Sequence, residues 1–203
     1  MTAFAELQIL SNFSFLEGAS HPQEYALAAA ALGYQAFALA DRNSLAGVVR
    51  AHLAAKELGI RFVVGARLDL VQDLKPYEVR PLDAERRPRP PNGFSLLAYP
   101  TDRPAYARLS RLLSLGRRRA PKGACWLTLA DVEEYGSADD GEGILFALLP
   151  ETLPAGMDAD AALGDLRRRF GRNLYLATYP RFRGDRGPLI STAGDDWQRK
   201  KQG

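Results

Sequence analysis

The segment ELQILSNFSFLEGASHP, residues 6–22, decides how the fold of this chain begins. Leu7, Ile9 and Leu10 predict a short buried strand, and the serines and glycine that follow favour a loop up to residue 21. A strand that ends in a polar loop is where α/β folds place their binding and catalytic residues. The segment therefore predicts an α/β protein with a site at the end of its first strand.

Strand and helix patterns alternate beyond this segment. The predicted elements are a helix over 22–33 closed by Gly33, a strand over 36–40 that ends at Asp41, a helix capped by Asn43 or Ser44 that stops at Gly59, and a strand over 60–70. The order β-α-β-α-β predicts a parallel sheet or a (β/α) barrel.

The second half of the chain also contains strand and helix patterns. The predicted elements are a strand over 94–99, a helix from Thr101 or Asp102 to 116–119, a helix capped by Thr128 with Asp131, a strand over 143–149, a helix over 158–170 and a strand over 173–179. Residues 72–93 are rich in proline and charge, which predicts a mobile insertion; a polyproline segment that binds a partner is the less favoured alternative. One domain over 1–183 and an irregular, disordered tail over 184–203 are expected.

Composition excludes several classes of protein. The chain has 203 residues, 46% of them hydrophobic and 25% charged, as in one globular domain. Its net charge of +3 is uneven, because residues from 165 onward hold 10 Lys and Arg against 4 Asp and Glu. This basic end could meet a phosphate backbone, but the run 167–169 is more typical of a solvated helix face. Without a signal segment or a membrane-length apolar run, and with one cysteine, the sequence predicts a cytoplasmic protein with no membrane contact.

Four phrases are specific enough to indicate a family. They are SNFSFLEGASHP, ADRNSLAGVVRAHLAAKELGIRFVVGARLDL, YPTDRPAYARLSRLLSLGRRRAPKG and LTLADVEEY. Together they resemble, over about residues 4–183, the polymerase-and-histidinol-phosphatase (PHP) domain at the N-terminus of error-prone, translesion C-family bacterial DNA polymerases, which are similar to the DNA polymerase III alpha subunit. The resemblance implies a PHP-type distorted (β/α) barrel that braces a polymerase body.

The resemblance also locates the metal positions of the family. Metal-competent members carry a His-x-His pair on the first strand, Asp-His after the second and a Glu on the third. The equivalent positions here are Gln8 and Leu10, Asp41 and Arg42, and Arg67. Only Asp41 could still ligate a metal, since Leu10 has no donor atom, Gln8 is a weak ligand and both arginines repel cations. No catalytic residue and no bound metal are therefore expected.

Three side chains near these strand ends allow two interpretations. If Asp41, Arg42 and Arg67 converge, a guanidinium replaces the metal charge and holds Asp41 ionised through a bidentate pair. Alternatively, Arg67 alternates with buried leucines and faces solvent. The two histidines, His21 and His52, are expected to begin a helix and to lie inside one.

Aromatic residues near the strands and the single cysteine are weaker candidates for site residues. Phe13, Phe15 and Tyr34 could stack on bases, although aromatic residues beside apolar strands are more often in the core. Cys125 is expected to be buried beside Trp126.

The leading interpretation is a non-catalytic PHP module of an error-prone polymerase, active in replication and damage-tolerant repair. Its partners would be the remainder of the polymerase, DNA and replication or mutagenesis accessory proteins, with magnesium needed only by the full-length enzyme. The family pattern stops near Asp185, which predicts a barrel incomplete at its C-terminal end and a truncated gene product. A metal-dependent phosphoesterase and an independent DNA-binding module are the alternatives.

Overall fold

A computed structural model describes residues 4–72, 74, 93–136 and 143–177, together with the backbone of 180–182 and 188–190. The strands are β1 (Ala5–Ile9), β2 (Ala36–Leu39), β3 (Arg61–Val64), β4 (Ala66–Asp69), β5 (Ser95–Pro100), β6 (Ile144–Leu148), β7 (Leu174–Leu176), β8 (Pro180–Phe182) and β9 (Pro188–Ile190). The α-helices are α1 (Pro22–Ala31), α2 (Val48–Leu58), α3 (Arg103–Arg119), α4 (Leu129–Gly136) and α5 (Ala159–Phe170).

The strands form two main sheets and one short pair. Strands β1, β2 and β3 are parallel neighbours in chain order, which confirms the predicted β-α-β-α-β unit. In the second sheet β4 pairs with β5 and β5 with β6 in antiparallel fashion, and β6 pairs with β7 in parallel. A parallel bridge between Arg42 and Arg67 joins the end of β2 to β4. The fold class is therefore α/β, as predicted. It departs from a regular (β/α) barrel because β4, β5 and β6 pair in antiparallel fashion.

The strand predicted over 60–70 is wrong in one respect, because it is divided at Gly65 into β3 and β4. A Cβ atom at this position would lie 2.7 Å from the Leu39 carbonyl oxygen and 2.7 Å from Cε1 of Tyr99. Only glycine lets the backbone pass this close to its neighbours. The chain can therefore leave the first sheet and enter the second within one residue.

Helix termini agree with the predictions except at α2. Asp102 caps α3 by accepting the Ala105 N–H at 2.6 Å, and Thr128 accepts the Asp131 N–H at 3.2 Å at the start of α4. The cap predicted for α2 is wrong, since this helix begins at Val48 after Gly47.

The residue expected to cap α2 has a different role. Asn43 has a φ of 47°, and its Oδ1 accepts the N–H of Asp69 at 3.1 Å. The residue thus closes a turn between the strand ends instead of starting the helix.

The core has two main parts. Helices α1 and α2 pack against Phe37 and Leu39 of β2 through four alanines, namely Ala26, Ala29, Ala51 and Ala55. The larger part lies between the second sheet and α3, α4 and α5, and includes Leu68, Leu96, Leu109, Leu112, Leu127, Ile144, Phe146, Leu148 and Leu166. In the part of the chain that the structure describes, every helix is too short or too polar to cross a lipid bilayer.

The insertion and the tail that the sequence predicts to be irregular lie mostly outside the described residues. Most of the insertion, residues 73 and 75–92, lies outside the described residues. In the predicted tail, residues 188–190 form β9 and pair with β8, so these three residues are not irregular. The remainder of the tail lies outside the described residues as well.

Candidate functional site

Asp41 lies at the carboxyl end of β2 and is 1% exposed. Its Oδ1 accepts the Ser11 N–H and the Ser14 hydroxyl, each at 2.7 Å, and its Oδ2 accepts the Ser11 hydroxyl at 2.7 Å. The Ser14 oxygen in turn accepts the Arg42 N–H at 3.0 Å. Three donors therefore satisfy a buried carboxylate and fasten the loop after β1 to the end of β2.

The loop after β1 closes tightly against its own start. A Cβ atom at Gly18 would lie 2.1 Å from the Ser11 carbonyl oxygen, so only glycine fits at this point. The Asn12 N–H donates to the Ser20 carbonyl at 2.9 Å across the base of the loop. These contacts bring the two serines under the Asp41 carboxylate.

The predicted ion pair between Asp41 and a guanidinium is wrong. Arg42 donates instead from Nε to Asp69 Oδ2 at 2.6 Å and from Nη1 to Glu17 Oε1 at 2.6 Å. Arg67 donates from Nε to Asp69 Oδ1 at 3.0 Å, and its Nη1 lies 3.7 Å from Glu17 Oε2. Because Asp41 is already saturated by serine donors, the guanidinium groups pair with Glu17 and Asp69. We call these four residues the ion-pair network.

The alternative placement of Arg67 in solvent is also wrong. The side chain is 15% exposed, and the residue's own N–H donates to the Asp41 carbonyl at 3.1 Å. Arg67 and Asp69 lie two residues apart on β4, and so on the same face of the strand. This spacing brings the carboxylate of Asp69 to both arginines.

Asp69 is the central acceptor of the ion-pair network. Its Oδ1 also accepts the Ser95 hydroxyl at 2.6 Å. Burial alone would raise the pKa of Asp69, but the charges of Arg67 and Arg42 and the Ser95 hydrogen bond outweigh burial and lower it. Burial likewise opposes ionisation of Arg42, but Asp69 and Glu17 raise the pKa of this guanidinium. Both directions favour the ionised forms of Asp69 and Arg42.

The donor set does not fit a metal cluster. Gln8 and Leu10 are half-buried on or just after β1, and the Gln8 N–H donates to Glu6 Oε1 at 2.9 Å. Among the described residues, no three His, Cys, Asp or Glu side chains are grouped so that they could hold a metal ion. The fixed charges of Arg42 and Arg67 oppose a cation at the strand ends. The absence of a bound metal stays a prediction with this physical basis.

Both histidines have the positions that the sequence predicts. His21 precedes α1, where its N–H donates to Glu24 Oε2 at 2.6 Å and its Nδ1 lies 3.0 Å from Asn12 Nδ2. His52 is exposed within α2. Neither lies in the ion-pair network.

Sequence reasoning missed five residues of this site. They are the acceptors Glu17 and Asp69 and the hydroxyl donors Ser11, Ser14 and Ser95. The spacing of Arg67 and Asp69 was the one available signal, because it puts opposite charges on one face of a strand.

A groove lies beside the ion-pair network. It encloses about 360 Å³ and is formed by the loop after β1, the loop after β2 and the segment that follows α3. Its lining is Phe13, Ser14, Phe15, Arg42, Asn43, Ser44, Arg117 and 121–125. We call it the strand-end groove.

The expectation that the aromatic residues are in the core is wrong for two of three. Phe13 is 36% exposed and Phe15 is 63% exposed, whereas Tyr34 is half-buried and packs edge-on against Phe4 at a centroid distance of 4.7 Å.

Cys125 is half-buried, and burial raises the pKa of its thiol to about 11. The thiol is therefore protonated at neutral pH.

Fold and site together define a distorted (β/α)-barrel protein with polar residues at its strand ends. An amidohydrolase from Chromobacterium violaceum has a similar fold, with a TM-score of 0.51 and 15% sequence identity over 83% of this chain and 74% of that chain. This likeness concerns the fold alone.

Sequence comparison gives the family. Residues 6–150 match the PHP domain, so the chain belongs to the PHP domain family, as the sequence phrases predicted. The chain is 48% identical over 147 aligned positions to the error-prone DNA polymerase of Caulobacter vibrioides, a match that covers 72% of this chain and 11% of that protein. It is 41% identical to the error-prone DNA polymerase of Ruegeria pomeroyi over 89% of this chain and 17% of that protein. The chain thus spans a small fraction of the length of these relatives.

Proposed function

We propose that this chain acts as a non-catalytic PHP module of an error-prone DNA polymerase and supports the polymerase body during damage-tolerant repair synthesis. The observation that carries the proposal is the serine-bound Asp41 beside the ion-pair network. At the strand ends where a PHP enzyme would need metal ligands, this chain has guanidinium groups paired with carboxylates.

The contacts of the site support a bracing role. Glu17 lies in the loop after β1, Arg42 follows β2, Arg67 and Asp69 lie on β4, and Ser95 begins β5. The ion pairs therefore connect three segments that are distant in sequence, and the Ser95 hydroxyl adds a fourth through its hydrogen bond to Asp69. A partly buried, hydrogen-bonded network of this kind favours one arrangement of the strand ends.

The partners in this proposal are the remainder of the polymerase, DNA and replication or mutagenesis accessory proteins. Magnesium would serve the polymerase body and not this module, and the cytoplasm would be its compartment. The identity of the relatives supports the choice of polymerase, since several are error-prone DNA polymerases.

The test is a chimera of the Caulobacter vibrioides polymerase in which the 147 aligned positions are replaced by the corresponding segment of this chain. In a strain that lacks its own copy, we expect the chimera to restore damage-induced mutagenesis, while the same polymerase without the segment does not. A chimera that accumulates to the parental level and yet restores no mutagenesis would contradict the proposal. A third arm with Asp69→Asn tests whether the ion-pair network is needed for that accumulation.

A further inference from the structure

We propose that the outward sides of α1 and α2 form a docking surface for an apolar helix of a polymerase body to which this module is covalently joined. The inference rests on the proposed function, which supplies the body, and it names the surface through which the module would support that body. The surface consists of six exposed apolar residues, which we call the outer helix face: Leu27, Ala28, Ala31, Leu32, Val49 and Leu53.

Helix α1 is apolar on every side. Residues 25–32 read YALAAAAL, eight apolar residues in succession. The inner side of the helix packs in the core through Ala26 and Ala29, whereas Leu27 and Leu32 are 60% and 66% exposed. A helix at a protein surface ordinarily has a polar outer side, and a helix that is apolar all round is ordinarily buried all round. The composition of α1 therefore predicts a second contact on its outer side.

The outer side of α2 extends the apolar surface of α1. The strand order β1-β2-β3 with right-handed crossovers places both helices on one side of the first sheet, where they pack against each other. Val49 and Leu53 lie one turn apart on α2 and are 66% and 54% exposed. Exposed apolar residues that are scattered singly need no explanation, but a group of them on two neighbouring helices indicates an interaction surface.

The helices that cover the second sheet have a different outer surface. Their exposed residues include Arg103, Arg111 and Arg118 on α3 and Arg168 and Arg169 on α5. Charged side chains of this kind suit a helix that faces water. The contrast within one chain shows that the apolar surface is a property of α1 and α2 and not of the outer helices in general.

The two alanines of the outer helix face favour a helix as the occupant. Ala28 and Ala31 lie three residues apart on α1, and so are neighbours on one side of it. Packed helices have axes about 8–10 Å apart, at a distance set by the side chains at the contact, and small residues allow the closer approach. Leu27 and Leu32 flank the alanines and would fit the grooves of the approaching helix. That helix must itself be apolar, because the outer helix face contains no charged group.

The size of the outer helix face favours a covalently joined occupant over a separate protein. A stable contact between separate proteins uses about 20–30 residues on each side, many more than this face provides. A tethered partner has an effective concentration in the millimolar range, so a smaller surface suffices. In the error-prone polymerases of Caulobacter vibrioides and Ruegeria pomeroyi, the matched segment is 11% and 17% of a single polypeptide. The polymerase body is therefore the occupant that the size of the face supports.

The test introduces Leu27→Gln and Leu53→Gln together, both into the isolated full chain and into the chimera with the Caulobacter vibrioides polymerase. In the isolated chain both side chains already face water, so the melting temperature should change by no more than about 2 °C. In the chimera the pair should weaken docking, because two leucines that the body covers are lost. Limited proteolysis should then cut the junction between module and body about ten-fold faster or more.

Tyr106→Gln is the matched control, since it removes another exposed apolar side chain, on α3 and outside the outer helix face. Junction cleavage in this variant should proceed at the parental rate. A second pair from the same face, Leu32→Gln with Val49→Gln, should repeat the effect of the first pair. Circular dichroism verifies the folding of each isolated variant.

Four results would overturn the inference. The first is cleavage at the parental rate with both pairs, and the second is equal acceleration by Tyr106→Gln. The third is unfolding of the isolated chain by both pairs, which would show that the face already serves the fold of the module. The fourth is an isolated chain that sediments as a dimer and becomes monomeric with Leu27→Gln and Leu53→Gln, which would assign the face to a second copy of this chain.

The docking surface and the proposed function fail in different ways. A chimera that restores mutagenesis, but whose junction cleavage is unchanged by either pair, overturns the docking surface and leaves the polymerase module standing. A chimera that restores no mutagenesis, but is cleaved faster with both pairs, supports the docking surface and overturns the function.

Discussion

At the scale of single residues, Asp41 is the side chain on which the loop after β1 depends. Substitution Asp41→Asn keeps the shape but places an amide N–H₂ where an oxygen now accepts from serine. A buried donor facing another donor costs about 1–3 kcal/mol. For a chain of this length, we expect the melting temperature to fall by about 3–10 °C, measured by circular dichroism.

Asp165→Asn is the matched control for this substitution. Asp165 pairs with Arg168 and Arg169 on the exposed face of α5, where ion pairs contribute little, so its melting temperature should hardly change. An Asp41→Asn chain that melts like the unmodified protein would show that the serine contacts do not stabilise the fold.

The lowered pKa of Asp69 predicts how the free energy of unfolding changes with pH. Its pKa is lowered in the folded state, so the ionised form is bound more tightly by the folded chain than by the unfolded chain. This stabilisation is present above the unfolded pKa of about 3.9 and is lost as pH falls through the lower, folded pKa. Urea unfolding should therefore give a free energy that declines between about pH 5 and pH 2.

Asp131 also contributes to the loss of stability in acid, so a control must separate its effect from that of Asp69. Burial opposes its ionisation, but Arg119 and Thr128 lower the pKa of Asp131 overall. Asp69→Asn should flatten part of the acid decline and leave the part due to Asp131. If the decline is as steep in Asp69→Asn as in the unmodified chain, the ion-pair network is not its source.

At the scale of elements, Gly65 decides where the first sheet ends and the second begins. Gly65→Ala would force a methyl group against the Leu39 carbonyl oxygen and the Tyr99 ring. Overpacking of this kind costs about 1–3 kcal/mol, so the urea midpoint should fall with little change in slope.

Substitution of Gly164 by alanine is expected to have the opposite effect on stability from Gly65→Ala. It lies inside α5, and a Cβ atom there would meet only Arg168 Nη1, at 3.8 Å. Gly164→Ala should stabilise the chain by about 0.5–1 kcal/mol, because alanine favours the helix interior. Equal effects of the two substitutions, in size and sign, would contradict the close contact assigned to Gly65.

Helix and strand predictions succeeded where the controlling contacts are local. The Asp102 cap and the Thr128–Asp131 pair act over three residues and are visible in the sequence. The division at Gly65 was missed, because the atoms that exclude a side chain there belong to β2 and β5. The start of α2 was missed for the same reason, since Asn43 bonds to Asp69 across the sheets instead of capping the helix.

At the scale of the whole molecule, the sequence indicated where the polar site lies but not which carboxylates pair with its arginines. The end of β2 and the start of β4 bring the backbones of Asp41, Arg42 and Arg67 together, as one of the two interpretations of the sequence required. The partners Glu17 and Asp69 lie 25 and 27 residues from Arg42 along the chain, and the only local signal for either is the two-residue spacing of Asp69 from Arg67. Only the folded loop shows that two serines satisfy Asp41 and leave the arginines to other carboxylates.

This arrangement predicts the catalytic behaviour of the molecule. A PHP hydrolase needs several anionic or imidazole ligands around its metals, and here the equivalent space holds two guanidinium groups in ion pairs. We expect no hydrolysis of a nitrophenyl phosphate ester in the presence of Mn²⁺, Zn²⁺ or Mg²⁺, and no rise in melting temperature when these ions are added. Metal-dependent hydrolysis that is abolished in Asp41→Ala, with the variant still folded, would favour the phosphoesterase function. Residual hydrolysis unchanged in that variant would instead indicate a contaminating phosphatase, because Asp41 is the one carboxylate among the five family ligand positions identified in the sequence.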